Sequence, residues 1–262
     1  MSGRIRQSFC IGCFTRDGVT VSDAISRAAV IGYEAVELWH RDRTPFVELL
    51  EAAEANGLTV ASMIGHDSLP DGLNKRSNHD RIEDELAESI AIASTHGIPG
   101  LICFSGNRDG LGDEKGVETT AEGLSRVSAL AEKSGVNLNL ELLNSKVDHP
   151  DYQCDRTLWG VQVCEQVGSP RVKLLYDIYH MQIMEGDLVR SIDDCGNWFG
   201  HYHTAGNPGR KDLDQEQEIH YPAVMKAIVE SGYEGYVGHE FTPKGQPLAA
   251  LEEAFRVCDY RK

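Results

Sequence analysis

A single closed (β/α)8 TIM barrel is the fold class that this 262-residue sequence predicts. Two observations carry the prediction. Eight short β-rich runs alternate with eight amphipathic stretches along the whole chain, the pattern of parallel strands joined by helices. No Pro/Ser-rich linker or low-complexity segment interrupts that alternation, so one domain spanning residues 1–262 is expected. A doubly wound open sheet is the competing arrangement, but no Gly-rich dinucleotide turn supports it.

The elements follow in order. IRQSFC (5–10) reads as the first strand, and VSDAISRAAVIG (21–32) as a helix with Ser22 as a plausible cap. EAVELW (34–39) is the second strand, and TPFVELLEAAEANG (44–57) a helix that closes on Gly57. LTVASMIGH (58–66) leads to HDRIEDELAESIAIASTHG (79–97), which closes on Gly97. GLICFS (100–105) precedes VETTAEGLSRVSALAEKSG (117–135), and VNLNLELLN (136–144) precedes DRTLWGVQVCEQVG (155–168). VKLLYD (172–177) is followed by GDLVRSIDDCG (186–196), WFGHYHT (198–204) by YPAVMKAIVESG (221–232), and YVGHEF (236–241) by QPLAALEEAFRVC (246–258). Glycine recurs at the helix ends because it accepts the left-handed turn there.

Composition narrows the function. A formal net charge of -16 opposes a nucleic-acid backbone or an anionic membrane as partner. It leaves room for an anionic small molecule if a cation reverses the local field. The seven cysteines are an odd, scattered set, as expected of reduced thiols in a cytoplasmic protein. Cys10 and Cys13 form a C-x-x-C, but no second pair lies nearby and no helix clearly follows. Two small side chains ending a strand is the simpler reading than a redox or zinc pair. No apolar signal core opens the chain, and no run of about 18 apolar residues occurs in it. A homo-oligomer is left open.

Alternation along the later strands sorts the polar residues by face. Asn137, Asn139 and Glu141 share one face, as do Lys173, Leu175 and Asp177. Phe199, His201 and His203 form the next set, then Tyr236, Gly238 and Glu240. Leu138, Leu140, Leu142, Leu174, Tyr176, Tyr202 and Val237 should face the helices, with His239 an exception. Each polar set ends at the C-terminal end of its strand, where active sites of this architecture sit. Glu141, Asp177, His203 and Glu240 should therefore converge on one mouth. Three carboxylates and an imidazole cannot converge uncompensated, and a divalent cation is the simplest compensation. Oxygen-rich ligation with one His and no thiolate suits Mg, Mn, Co or Zn. Deeper in, Glu37, Lys173 and Asn139 read as a buried ion-pair and amide network, and His201 as a satisfied barrel histidine. His66 is either a substrate contact or a support for the loop after it. The loops Thr15–Gly18, Trp39–Arg43 and Asp67–Asn74 should close the mouth.

At ELLN (141–144), LLYDIYHMQIMEGDL (174–188), HYHTAGNPGR (201–210), EIHY (218–221) and GHEF (238–241), the sequence resembles the hydroxypyruvate isomerase group. That group belongs to the xylose-isomerase-like barrel superfamily, with ketose 3-epimerases and inosose dehydratases. The resemblance implies that Glu141, Asp177, His203 and Glu240 are metal ligands, and that Glu141 and Glu240 move protons. It implies that His180 and Arg210 contact substrate; on sequence alone the alternative for His180 is a cap of its turn, and Arg210 reads as a solvated loop arginine until the resemblance reverses that. The chain departs from the bacterial isomerases at His203, where Gln is frequent, and in this respect is similar to the ketose epimerases. It departs again at Ala205-Gly206-Asn207-Pro208 and at Gln217-Glu218-Ile219-His220-Tyr221.

The implied activity is a metal-dependent isomerisation of a small sugar or hydroxy-keto acid, with hydroxypyruvate to tartronate semialdehyde as the candidate reaction. The metal would stabilise an enediolate while one glutamate removes a proton and the other returns one. A ketose 3-epimerase or inosose-type dehydratase would use the same site. A catalytically idle sugar-binding barrel would not require both glutamates.

Overall fold

The computed structural model describes residues 4–42 and 44–261; Arg43, in a loop expected to border the mouth, lies outside the described residues. Eight strands form one sheet: β1 (Arg6–Phe9), β2 (Ala35–Glu37), β3 (Thr59–Ile64), β4 (Gly100–Cys103), β5 (Asn137–Glu141), β6 (Val172–Asp177), β7 (Phe199–Thr204) and β8 (Tyr236–His239). Their order is β1-β8-β7-β6-β5-β4-β3-β2. A parallel bridge between Cys10 and Glu37 and a bond from Glu34 N to Gln7 O (3.1 Å) join the two ends of that order. This is the (β/α)8 barrel that the alternation predicts, and each strand lies within its expected run.

Helices fill the intervals: α1 (Ile11–Phe14), α2 (Val21–Ile31), α3 (Phe46–Ala55), α4 (His79–His96), α5 (Asp113–Ser134), α6 (Thr157–Val167), α7 (Ile178–Met184), α8 (Leu188–Cys195), α9 (Tyr221–Glu230) and α10 (Pro247–Cys258). Several details correct the sequence reading. The cap of α2 is Thr20, not Ser22: the Thr20 hydroxyl accepts from Asp23 N, and the Asp23 carboxylate accepts from Thr20 N, both at 3.1 Å. This is a capping box. Helix α5 starts a turn earlier than expected, at Asp113, with Asp113 and Glu114 in the first turn where the helix dipole favours negative charge. A short helix, α1, does follow Cys10 and contains Cys13.

By its contacts the chain divides into two compact units. The first comprises Met1–Met63, Asp187–Gly196 and Tyr202–Lys262. An aromatic cluster builds part of its core: Phe14 meets Phe9 edge-on at 5.9 Å and Phe241 at 5.2 Å, while Tyr33 meets Phe255 at 5.0 Å. Here His239, the polar exception on β8, is fully buried and satisfied. Its Nδ1 lies 2.7 Å from Thr204 Oγ1 and its Nε2 lies 2.8 Å from Gln7 Oε1, and burial lowers its pKa to about 3.

The second unit comprises Ile64–Gly186 and Asn197–His201. In it β5 pairs with β4 and β6, with Asn139 opposite Ile102 and Lys173. Leu142 and Leu174 turn toward α6 as predicted, and α6 approaches so closely that a Cβ on Gly160 would sit 2.7 Å from Leu174 Cδ2. Lys173, in contrast, is no part of a buried ion pair. It is half-buried, donates to Asn197 O at 2.8 Å and lies over the Trp198 ring. Its flexible stem carries the ammonium out toward water.

Candidate active site

In the second unit, Glu141 and Asp177 are the last residues of β5 and β6. Both are buried, Asp177 with 1% of its surface exposed. Asp177 also caps α7, its Oδ1 accepting from His180 N at 3.0 Å. The strand-to-helix turn therefore needs an acceptor at this position, which is one reason for a carboxylate at a strand end.

The cap places the His180 ring beside Asp177, with Nε2 3.7 Å from Asp177 Oδ2. On the other side of the ring, Nδ1 accepts from Asn144 N at 3.2 Å and from Asn144 Nδ2 at 2.6 Å. Two donors on Nδ1 put the ring proton on Nε2. Asn144 is itself fixed by Asp148, whose Oδ2 accepts from Asn144 Nδ2 at 2.7 Å and from the Tyr179 hydroxyl at 2.8 Å. The imidazole thus does not cap the turn; only its backbone N–H is capped.

In the first unit, His203 lies near the end of β7 and Glu240 follows β8, the Glu240 N–H donating to Thr204 O at 3.0 Å. His203 Nδ1 is 3.1 Å from Glu240 Oε2, and its Nε2 is 3.0 Å from Glu37 Oε2. Glu240 Oε1 accepts from the Trp39 indole N–H at 2.5 Å, and Oε2 accepts from the Arg210 guanidinium. Burial alone would raise the Glu240 pKa. Arg210 first, then His203 when it is protonated, and the hydrogen bond from Trp39 outweigh it and hold the carboxyl well below its usual range. Arg210 has φ +55°, a left-handed conformation that a non-glycine residue adopts where its surroundings enforce it.

His66 is engaged on both ring nitrogens by backbone. Nε2 accepts from Phe104 N at 2.9 Å, and Nδ1 lies 3.1 Å from Asp67 O. Burial lowers its pKa to about 4, so the ring is neutral. Backbone partners on both nitrogens favour the loop-support alternative of the sequence reading. Cys10 is buried and its thiol pKa is pushed up, first by burial and then by its neighbour Cys13, the reverse of what a reactive thiolate needs. All seven cysteines are free. Sequence reasoning missed Trp39 and Asn144. Trp39 was visible as the last residue of a strand run and the first of a mouth loop, without a role of its own, and Asn144 only as the end of ELLN.

Each unit offers buried groups of the kind that hold a metal ion, Glu141 and Asp177 in the second and His203 and Glu240 in the first. The donor chemistry fits one. Were the Nε2 proton given to Glu37, His203 would turn the Nδ1 lone pair toward a Glu240 carboxylate oxygen. Two acceptors 3.1 Å apart call for a shared proton or a cation.

Comparison with known proteins agrees in fold. The profile of the xylose isomerase-like TIM barrel family matches residues 25–260. A 2-oxo-tetronate isomerase of Cupriavidus necator is 30% identical over 246 residues, covering 87% of this chain and 90% of that protein. A hydroxypyruvate isomerase of Escherichia coli is 31% identical over 173 residues, 66% of each chain. Among solved structures, an AP endonuclease of family 2 from Brucella melitensis superposes with a TM-score of 0.86 over 100% of both chains, at 24% identity, a likeness of fold. No described helix is long and apolar enough to cross a membrane.

Proposed function

The chain belongs to the xylose isomerase-like TIM barrel family, and from that premise we propose that it is a metal-dependent isomerase of small α-hydroxycarbonyl compounds. Hydroxypyruvate to tartronate semialdehyde is the candidate reaction, in keeping with the names its relatives carry. One observation bears most of the weight: buried carboxylates end β5, β6 and β8, with His203 on the strand between the last two. In this reading Glu141, Asp177, His203 and Glu240 hold the cation, which is Mg, Mn, Co or Zn. Bound there, a divalent cation polarises the carbonyl and hydroxyl oxygens and acidifies the neighbouring C–H.

The protein's own groups do the rest. One of Glu141 and Glu240 takes the proton from the hydroxyl-bearing carbon, leaving an enediolate. The other delivers a proton to the adjacent carbon, and the carbonyl migrates with no net redox change. Glu240 suits such a role because Arg210 keeps it ionised. His180, with its proton on Nε2, donates to a substrate oxygen. Arg210 offers a planar fork for a substrate carboxylate. His66 is assigned to loop support.

A ketose 3-epimerase is the second reading, favoured by His203 where bacterial hydroxypyruvate isomerases frequently carry Gln. A chelator distinguishes metal dependence from its absence. EDTA treatment should abolish turnover and lower the melting temperature, because the cation binds only the folded site. Full turnover by a metal-free sample would refute the proposal.

A further inference from the structure

Glu37 lies outside the proposed ligand set, yet the fold goes to some length to aim it. Strand β2 is three residues long, and its register with β3 shifts between Val36 and Glu37. Such an irregularity re-aims a side chain. Glu37 is buried, with 2% of its surface exposed, so its carboxylate must be held by specific partners. Its Oε1 accepts from the Ser8 hydroxyl, and its Oε2 faces His203 Nε2 at 3.0 Å. Glycine at position 238 makes room for the pair. A Cβ there would fall well inside contact with Glu37 Oε1 and 3.0 Å from His203 Cδ2.

We propose that Glu37 is a positioning residue that fixes His203 as its Nε2–H tautomer and strengthens Nδ1 as a metal donor. The second part rests on the metal-site reading above. An anionic acceptor on one ring nitrogen selects the proton's place and raises the basicity of the other nitrogen. His239, one strand over, shows the contrast. Its ring nitrogens meet a hydroxyl and an amide oxygen, both neutral. Nothing there favours a stronger donor, and the ring is structural.

The test uses the protein labelled with ¹⁵N in its imidazoles, freed of metal, with the His203 signals identified by their loss in His203→Gln. The wild type should show His203 protonated on Nε2. Protonation on Nδ1 overturns the proposal, whether or not any Glu37 variant folds. Calorimetric titration with Mn²⁺ then compares wild type with Glu37→Gln, where affinity should fall roughly 10–100-fold. Equal affinity in a folded variant overturns the donor-strength part. If the wild type binds no Mn²⁺ while His203 is still protonated on Nε2, the metal reading fails and the tautomer assignment stands.

Discussion

The first four strands and the last four end differently. At the ends of β5, β6, β7 and β8 stand Glu141, Asp177, His203 and Glu240, four buried groups suited to ligation and proton transfer. The early strands end in residues that serve others. Glu37 orients His203, Trp39 donates to Glu240, and His66 gives both ring nitrogens to backbone. On the proposed reading, chemistry falls to the late strand ends and support to the early ones. Burial and charge alone do not distinguish the two roles; the partner of each polar atom does.

The strongest way to break this contrast is to neutralise the proposed proton carriers. Glu141→Gln and Glu240→Gln should each lower turnover by at least ~10²-fold while circular dichroism reports an intact barrel. Full activity in both would mean that the late strand ends are not the chemical ones.

The early half should express itself in stability. His66 has a folded pKa of about 4, below the 6.5 of an unfolded chain, so the unfolded state binds more protons between those values. Its contribution is present above about pH 6.5 and is lost as pH falls toward 4, on the order of 3 kcal/mol across the window. His239 adds to the same trend. Denaturant midpoints should drop through that range, and His66→Gln, which keeps an acceptor for Phe104 N, should make the slope shallower. A wild-type midpoint flat from pH 7 to 4 would contradict the structural assignment.

Smaller effects sharpen the contrast. Arg210→Lys keeps the charge but loses the fork, and should raise KM for a carboxylate substrate by roughly tenfold or more. An unchanged KM would place Arg210 on Glu240 alone. Trp39→Phe removes one hydrogen bond to an ionised group from a part-exposed donor, a loss of about 1.5 kcal/mol, the low end for such bonds, and roughly tenfold in kcat/KM. An effect as large as that of Glu240→Gln would move Trp39 from support into the chemistry.

Much of this was readable in the residues because two periods dominate the chain. Alternation with period two put Glu141, Asp177, His203 and Glu240 on one face, and long helices declared themselves through their apolar stripes and closing glycines. What escaped has physical causes. Helices α1 and α7 span four and seven residues, too short for a periodic signal. Glu37 and Lys173 were expected in one network because alternation cannot foresee that the Lys173 stem carries its ammonium out to Asn197 O. The Trp39–Glu240 bond joins residues 201 positions apart, a separation on which local pattern is silent. Nor could local pattern show that the Asn144 backbone N–H and side-chain amide both donate to His180 Nδ1, leaving the ring proton on Nε2.

The central claim, proton transfer at a metal site, is tested most directly by incubating the protein with hydroxypyruvate in D₂O and following the substrate by NMR. The account predicts deuterium entering the substrate as its carbonyl migrates, with both changes suppressed by EDTA and restored by a divalent cation. Deuterium incorporation and isomerisation that continue unchanged in the chelated protein would contradict it.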